Sequence, residues 1–313
     1  MAHPDVLLAV HDAAAYLPLL EEMLGGGVRV SIATNSDEAL NAYDGQPVVL
    51  GEPDLLADVL DDMPAVEWVQ SSWAGVTPLL KSNRADFQLT GVKDVFGSQM
   101  AEYVFAYLLA REVKILERLG RQSRKDWWDE PSGSLCGKTL GVMGTGSIGS
   151  AIASRAGAFG MKTVGFSKTG EAAEPFDQVY ASRQLEKFLP QPDYLVAVLP
   201  DTVETRGLLG SEAFALMKNS CYLVNVGRGS LIDEQALIRA LYADELAGAV
   251  LDVFQAEPLS EDSALWHAPN LLVTGHIAAI SRPRDIARIF SENYQRYCNG
   301  EPLNYLVDFD RGY

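Results

Sequence analysis

The stretch VMGTGSIGSAIASRAGAFG, residues 142–160, decides how the rest of the chain is read. An apolar run, KTLGVMG (138–144), leads into it, and small and apolar residues at helical spacing lead out. In that context the three glycines of GTGSIG take separate jobs. Gly144 makes the tight turn after the strand, Gly146 lets backbone approach a pyrophosphate, and Gly149 lets the helix pack on the sheet. The helix start at Ser147 and Ile148 then offers free N–H groups and a positive dipole end to phosphates. Small-residue turns produce a lone GxGxxG by chance, so the flanking strand and helix carry the weight. A dinucleotide-binding unit is expected here.

Outward from this stretch, short apolar runs alternate with helical patterns. The same series continues through KTVGFS (162–167), DYLVAVLP (193–200), CYLVNVG (221–227), AGAVLDVF (247–254) and NLLVTGHIA (270–278). A separate upstream series holds VLLAV (6–10), VRVSIA (28–33), PVVLG (47–51), VEWVQSS (66–72) and FQLTGV (87–92), and stops near Gly97. Strand–helix alternation of this kind makes parallel sheets covered by helices on both faces. Between the series, SQMAEYVFAYLLAREVKILERLG (98–120) reads as one long helix, followed by a polar, aromatic arm, RQSRKDWWDEPSG. After Ile280 come a last amphipathic helix, RPRDIARIFSENYQRYC, and the apolar PLNYLVDF. They have no second series left to join, so they are expected to fold back on the first domain. The expected fold class is α/β, with two doubly wound parallel-sheet domains: 1–97 plus 281–313, and 98–280.

Composition bounds the partners. A chain of 313 residues is long enough for two domains with separate cores. A formal net charge of −17 argues against nucleic acid or an anionic membrane surface, both of which need basic patches. Any anionic ligand must therefore meet positive charge supplied locally by its site. No run of 18 or more apolar residues suggests a membrane span. The N-terminus lacks the basic region of a signal peptide. Cys136, Cys221 and Cys298 lie far apart without metal-ligand spacing, so reduced thiols, a cytoplasmic location and no metal are expected.

Three further stretches carry chemistry. In NVGRGSLIDEQAL (225–237) a strand is expected to end at Val226, leaving Arg228 in a glycine-flanked turn before a helix. Ligands bind at the carboxyl ends of strands in such sheets, and a guanidinium fork suits a carboxylate. In LDVFQAEP (251–258), Asp252 falls inside an apolar strand and Glu257 just past it. In VTGHIAAISRP (273–283), His276 leaves another strand. A carboxylate-held histidine favours imidazolium and keeps one ring orientation, which suits an acid. Taken singly, Arg228 reads as a surface arginine and His276 as a structural histidine. His3, His11 and His267 keep that plain reading, since none is expected at a strand end beside a carboxylate.

Downstream of GTGSIG, the ordered motifs NVGRGSLIDEQAL, LDVFQAEPL and HIAAISRP resemble the D-isomer-specific 2-hydroxyacid dehydrogenase family. Order and spacing match over the second half, and the domain plan over the full chain. Within the family, HIAAISRP and the C-terminal VDFDRGY look most like the bacterial glyoxylate/hydroxypyruvate reductase A type. The resemblance implies a flavodoxin-like substrate domain and a Rossmann cofactor domain. It implies that Arg228 binds the substrate's carboxylate and carbonyl oxygen, and that His276 gives that oxygen a proton. Glu257 would hold His276 and favour its charged form, and Asp252 would hold the nicotinamide carboxamide. Pro200, Thr205, Val226, Gly227 and Ala278 would line the cofactor. SSWAGV (71–76) resembles the loop whose N–H groups, here on Ala74 and Gly75, hold the substrate carboxylate. Many relatives carry Asp where this chain has Thr77, which weakens that last transfer. The family's two-fold dimer uses the long helix and the arm, so a homodimer is expected.

The activity implied is NAD(P)H-dependent reduction of a small 2-keto acid, glyoxylate or hydroxypyruvate. A bulkier substrate such as phenylpyruvate or 2-ketoisocaproate is the alternative within enzymes, and a cofactor-sensing regulator the alternative outside them. A formate-dehydrogenase-like role fits less well, because that branch has Gln where Glu257 stands. Cofactor choice turns on GFSKTG (165–170), where a dinucleotide unit usually carries an acid for the ribose hydroxyls. Ser167 and Lys168 stand there instead. Ser167 can hydrogen-bond a 2′-phosphate and Lys168 can neutralise it, so NADP is expected over NAD, with NAD held through backbone contacts as the alternative. Arg282 and Arg284 are further candidates for the site, Arg282 first because it follows the His276 segment closely, with exposed helix arginines as the plain reading of both.

Overall fold

Parallel strands need long crossovers, and here helices supply most of them. The computed structural model describes residues 3–82 and 84–309; the last four residues of VDFDRGY lie outside that range. The chain forms two compact units, residues up to Val95 with those from Ser281, and Phe96–Ile280.

The first unit runs β1 (Val6–Ala9), α1 (Ala13–Leu24), β2 (Val30–Ala33), α2 (Ser36–Ala42), β3 (Val48–Gly51), α3 (Pro53–Leu56), β4 (Trp68–Ser71) and β5 (Gln88–Thr90). Its parallel sheet has the order β2-β1-β3-β4-β5, the flavodoxin-like order. Leu7, Val49, Val69 and Leu89 bury one face against Leu56 and Leu60. On the other face Trp68 stacks on Phe290 with centroids 5.2 Å apart. A buried polar knot fixes this contact. Gln70 Oε1 accepts from Thr90 Oγ1 at 2.8 Å and from Asn293 Nδ2 at 3.1 Å. The C-terminal segment adds to the sheet edge, where Val307 N–H donates to Leu89 O at 2.8 Å.

The second unit opens with α4 (Gly97–Glu112) and α5 (Ile115–Ser123). It continues β6 (Thr139–Met143), α6 (Ser147–Ala156), β7 (Lys162–Ser167), β8 (Gln178–Ala181), α7 (Leu185–Phe188), β9 (Tyr194–Ala197) and α8 (Ser211–Leu216). Then follow β10 (Tyr222–Asn225), α9 (Glu234–Tyr242), β11 (Gly248–Leu251) and β12 (Leu271–Val273), and α10 (Pro283–Asn299) returns to the first unit. The seven-stranded sheet has the order β12-β11-β10-β9-β6-β7-β8, every pair parallel. Its strands alternate between two cores. Leu195, Leu223 and Leu251 face one side, and Val196, Val224 and Val250 the other, where Val104, Phe105 and Leu108 of α4 cover them. At about 1.5–3 kcal/mol per fully buried large side chain, this two-sided burial holds the sheet together.

Four local expectations fail. The long helix 98–120 is two helices, broken where Lys114 takes φ 53°. Trp128 of the arm lies under the guanidinium groups of Arg118 and Arg121, so the arm packs back on α5. Strand β8 was not expected, because DQVYA is short and half-polar. β10 closes at Asn225 rather than Val226, and Asp252 follows β11 instead of lying within it. At both ends a polar side chain binds the loop beyond: Asn225 closes β10 and holds the Arg228 turn, and Asp252 follows β11 and holds the His276 turn.

Candidate active site

The glycine loop combines tight packing with open space. Gly144 has φ 109° and donates its N–H to Phe166 O at 2.8 Å, which turns the chain off β6 beside β7. A Cβ on Gly149 would stand 1.8 Å from Gly144 O, so only glycine lets α6 start this close to the strand. Gly146 differs. Nothing in the protein lies within 4 Å of where its Cβ would be. No side chain caps α6, so the first-turn amides of Ser147 and Ile148 have no side-chain acceptor from the cap. Open space before an uncapped helix N-terminus fits a phosphate.

Beside it, β7 ends on Ser167, whose Oγ accepts the N–H of Gly170 at 3.0 Å. Lys168 is exposed, and its charge helps hold the Glu204 carboxyl below its ordinary value, after the hydrogen bonds from the Glu204 backbone and Thr202. No carboxylate side chain stands at either position.

Past β9 the loop is tied to itself, with Thr205 Oγ1 donating to Pro200 O at 2.7 Å. Asp201 accepts from Arg206 Nε at 2.8 Å and from Ser230 Oγ at 2.8 Å. Those bonds, Arg206's first, hold its carboxyl below the usual range.

The Arg228 loop is pressed into its neighbours. A Cβ on Gly227 would lie 2.9 Å from Val198 Cα, and one on Gly229 only 1.9 Å from the Phe254 carbonyl carbon. Asn225, fully buried at the end of β10, donates to Arg228 O at 3.0 Å and accepts from Gly227 N–H at 3.1 Å. Arg228 Nη1 donates to Gly227 O at 2.7 Å, leaving the rest of its fork for a ligand. Burial lowers the guanidinium from its ordinary value, while the charges of Asp201 and Glu257 pull the other way. Here is the local positive charge that an acidic protein needs to receive an anion.

His276 and Glu257 meet, Nδ1 to Oε2, at 2.7 Å. Phe254 N–H donates to Glu257 Oε1 at 2.9 Å, which orients the carboxylate. With Nδ1 occupied, Nε2 is the ring atom left to face a ligand. His276 sits in a left-handed turn at φ 56°, and Asp252 is the post around which that turn winds. Asp252 is fully buried, and its carboxylate accepts from Thr274 Oγ1 at 2.6 Å, Ile277 N–H at 2.9 Å and Ala278 N–H at 2.9 Å. A cavity of about 520 Å³ adjoins the pair, lined by Phe254, Leu259, Trp266 and Val273 among others.

In the first unit, Ser71 Oγ donates to Trp73 O at 2.9 Å and accepts Trp73 N–H at 3.0 Å, shaping the turn that presents Ala74 and Gly75. Ser72 Oγ is buried without a hydrogen-bond partner. Arg282 and Arg284 are exposed at the start of α10.

One plain reading is corrected. His11 does stand at a strand end beside a carboxylate: it follows β1, and its Nδ1 contacts Oε2 of Glu52, which follows β3. That bond raises the imidazole above its ordinary value, against the opposing effect of burial. Donor atoms of His11, Glu52 and Asp54 lie within 4.8 Å of one another. Adjacent strands bring the pair together, and the 41 residues separating His11 from Glu52 hid it. Sequence reasoning also missed Asn225, Tyr103 and Thr274. For Asn225 the available signal was a polar residue closing an apolar strand.

The sheet order, the open glycine loop and the Arg228–His276–Glu257 group define a dinucleotide-binding α/β protein with a carboxylate-held histidine at its strand ends. A family model for the D-isomer specific 2-hydroxyacid dehydrogenase, NAD binding domain, matches residues 105–278. A glyoxylate/hydroxypyruvate reductase A of Citrobacter koseri is 31% identical over 217 residues, covering 69% of this chain and 70% of that protein. A D-isomer specific 2-hydroxyacid dehydrogenase family protein of Aeromonas salmonicida superposes with TM-score 0.93 at 41% identity, over 98% of this chain and 100% of that one. An NADPH-dependent glyoxylate/hydroxypyruvate reductase of Sinorhizobium meliloti, solved with NADP and sulfate, gives TM-score 0.88 at 27% identity, over 99% and 100%. This chain belongs to the D-isomer specific 2-hydroxyacid dehydrogenase family.

Proposed function

We propose that this protein reduces a small 2-keto acid, glyoxylate or hydroxypyruvate, to the 2-hydroxy acid with NADPH. The observation that carries the reading is the His276–Glu257 pair at 2.7 Å, at the carboxyl ends of strands neighbouring the one that Arg228 follows. The chemistry that a reduced nicotinamide supplies at such a site is a hydride for the carbonyl carbon. The chain's own residues do the rest. Arg228 binds the substrate carboxylate and draws electron density toward the carbonyl oxygen. His276 holds a proton on Nε2 and releases it to that oxygen, with Glu257 keeping the ring oriented and its charge balanced. Ala74 and Gly75 offer backbone N–H groups to the carboxylate. Gly146, Ser147 and Ile148 would hold the pyrophosphate on the loop that Gly144 and Gly149 shape, and Pro200, Thr205, Val226, Gly227, Asp252 and Ala278 would line the nicotinamide half.

NADPH is favoured because Ser167 and Lys168 replace the acid that would repel a 2′-phosphate. Two of the named relatives are glyoxylate/hydroxypyruvate reductases, and one of those was solved with NADP, which supports the same choice here. A second copy of the chain covers α5. This helix buries none of its residues and exposes Ile115, Leu116 and Leu119, with Trp127 94% exposed nearby. Among the described residues, no helix is long and apolar enough to cross a membrane.

The test is steady-state oxidation of NADPH and NADH with a panel running from glyoxylate to phenylpyruvate. Preference for the small acids with NADPH is expected. Faster turnover of bulky acids would move the substrate class. Tight NADPH binding without turnover of any 2-keto acid would overturn the enzymatic reading in favour of a cofactor sensor.

A further inference from the structure

We propose that Tyr103 and Thr274 are positioning residues for His276, acting through the Asp252 carboxylate. The inference rests on His276 being the proton donor. Tyr103 on α4 and Thr274 past β12 are 171 residues apart, yet the Tyr103 OH and Thr274 Oγ1 lie 2.6 Å apart. Thr274 Oγ1 is in turn 2.6 Å from Asp252 Oδ1. The direction of this chain is forced. A carboxylate offers no hydrogen, so the threonine O–H points at Asp252, and its lone pairs face the tyrosine O–H. Burial pushes the Tyr103 phenol up, so it stays a donor.

The other partners of that carboxylate are the N–H groups of Ile277 and Ala278, directly after His276. His276 N–H itself donates to Asp252 O at 2.8 Å. A left-handed turn is unfavourable for a residue with a Cβ, and the buried carboxylate compensates by gathering the amides that follow. Thr274 fixes where Oδ1 sits, and Tyr103 fixes Thr274. Helix α4 therefore sets the place from which the imidazole reaches Glu257.

Thr274→Val removes the hydroxyl at constant shape, Thr274→Ser restores it, and Tyr103→Phe removes the outer donor. Thr274→Val is expected to lower kcat about tenfold with KM for glyoxylate changed less than about twofold. Amide exchange across residues 273–279, followed by mass spectrometry on the full chain, should quicken about tenfold. Thr274→Ser should return both to near wild type, and Tyr103→Phe should give about a threefold loss in kcat. Unchanged exchange and kcat in both Thr274→Val and Tyr103→Phe would overturn the proposal, as would equal losses in Thr274→Ser and Thr274→Val. Exchange needs no substrate, so it still decides the question if wild type turns over no 2-keto acid. In that case only the reading of function fails.

Discussion

Among the described residues two histidine–glutamate pairs occur, each joining Nδ1 to Oε2 and each at the carboxyl ends of parallel strands. His11–Glu52 hangs on β1 and β3 of the first unit, and His276–Glu257 on the loops after β12 and β11 of the second. Their surroundings differ. The two imidazoles are similarly exposed, 59% and 56%, but His11 is carried on ordinary backbone, with Asp54 as a further negative neighbour. His276 stands in a left-handed turn wound on a buried carboxylate, and Glu257 acts electrostatically on Arg228. A histidine held by a carboxylate is therefore not in itself a site. What distinguishes the second pair is the frame that orients it and the cation that would receive an anion.

Breaking each pair should give very different results. His276→Gln and Arg228→Ala are each expected to lower turnover by roughly a thousandfold or more, with NADPH affinity within about twofold. His11→Gln should leave turnover within about twofold. Steady-state kinetics with fluorescence binding checks all three, and comparable losses from the two histidine variants would erase the distinction.

The frame can be attacked without touching either histidine. Gly229→Ala forces a methyl to within 1.9 Å of the Phe254 carbonyl carbon, on the loop that carries Glu257. A destabilisation of about 2–3 kcal/mol is expected by denaturant titration, with loss of activity. Gly146→Ala places its methyl in open space, so stability should change by less than about 1 kcal/mol while NADPH affinity falls about tenfold. If Gly146→Ala bound NADPH as wild type does, the open loop would not be the pyrophosphate seat. Ser167→Asp with Lys168→Ala should move the NADPH-to-NADH efficiency ratio at least about tenfold toward NADH. An unmoved ratio places the selector elsewhere.

The smallest effect concerns His11. Its folded value is raised above the ordinary 6.5, so the Glu52 bond adds stability that is fully present below that value. That stability fades as pH rises through the higher folded value. Because the imidazole is largely exposed, the difference between wild type and His11→Gln should be roughly a few tenths of a kcal/mol in acid and vanish above it.

Much of this was legible in the amino-acid order. A parallel sheet buried on both faces needs continuous apolar runs, and those runs stand out in every strand but β8. Chemistry confined to short loops was equally plain, because GTGSIG and NVGRGS each keep their constraints within a few residues. The break at Lys114 was not legible, nor was the arm folding back to set Trp128 beneath Arg118 and Arg121, a contact between residues that share no periodic pattern. Nor was the His11–Glu52 pair, which adjacent strands create.

By itself the sequence determined the fold class, the glycine loop and the residues with the right chemistry, because periodicity and short-range spacing are written along the chain. The tertiary structure alone decided which histidine has a built frame. That frame joins Tyr103, Asp252 and Thr274 with Asn225 and Gly229, residues on separate elements whose meeting is a matter of sheet order and close packing. Proximity across a folded sheet leaves no periodic mark in the order of residues.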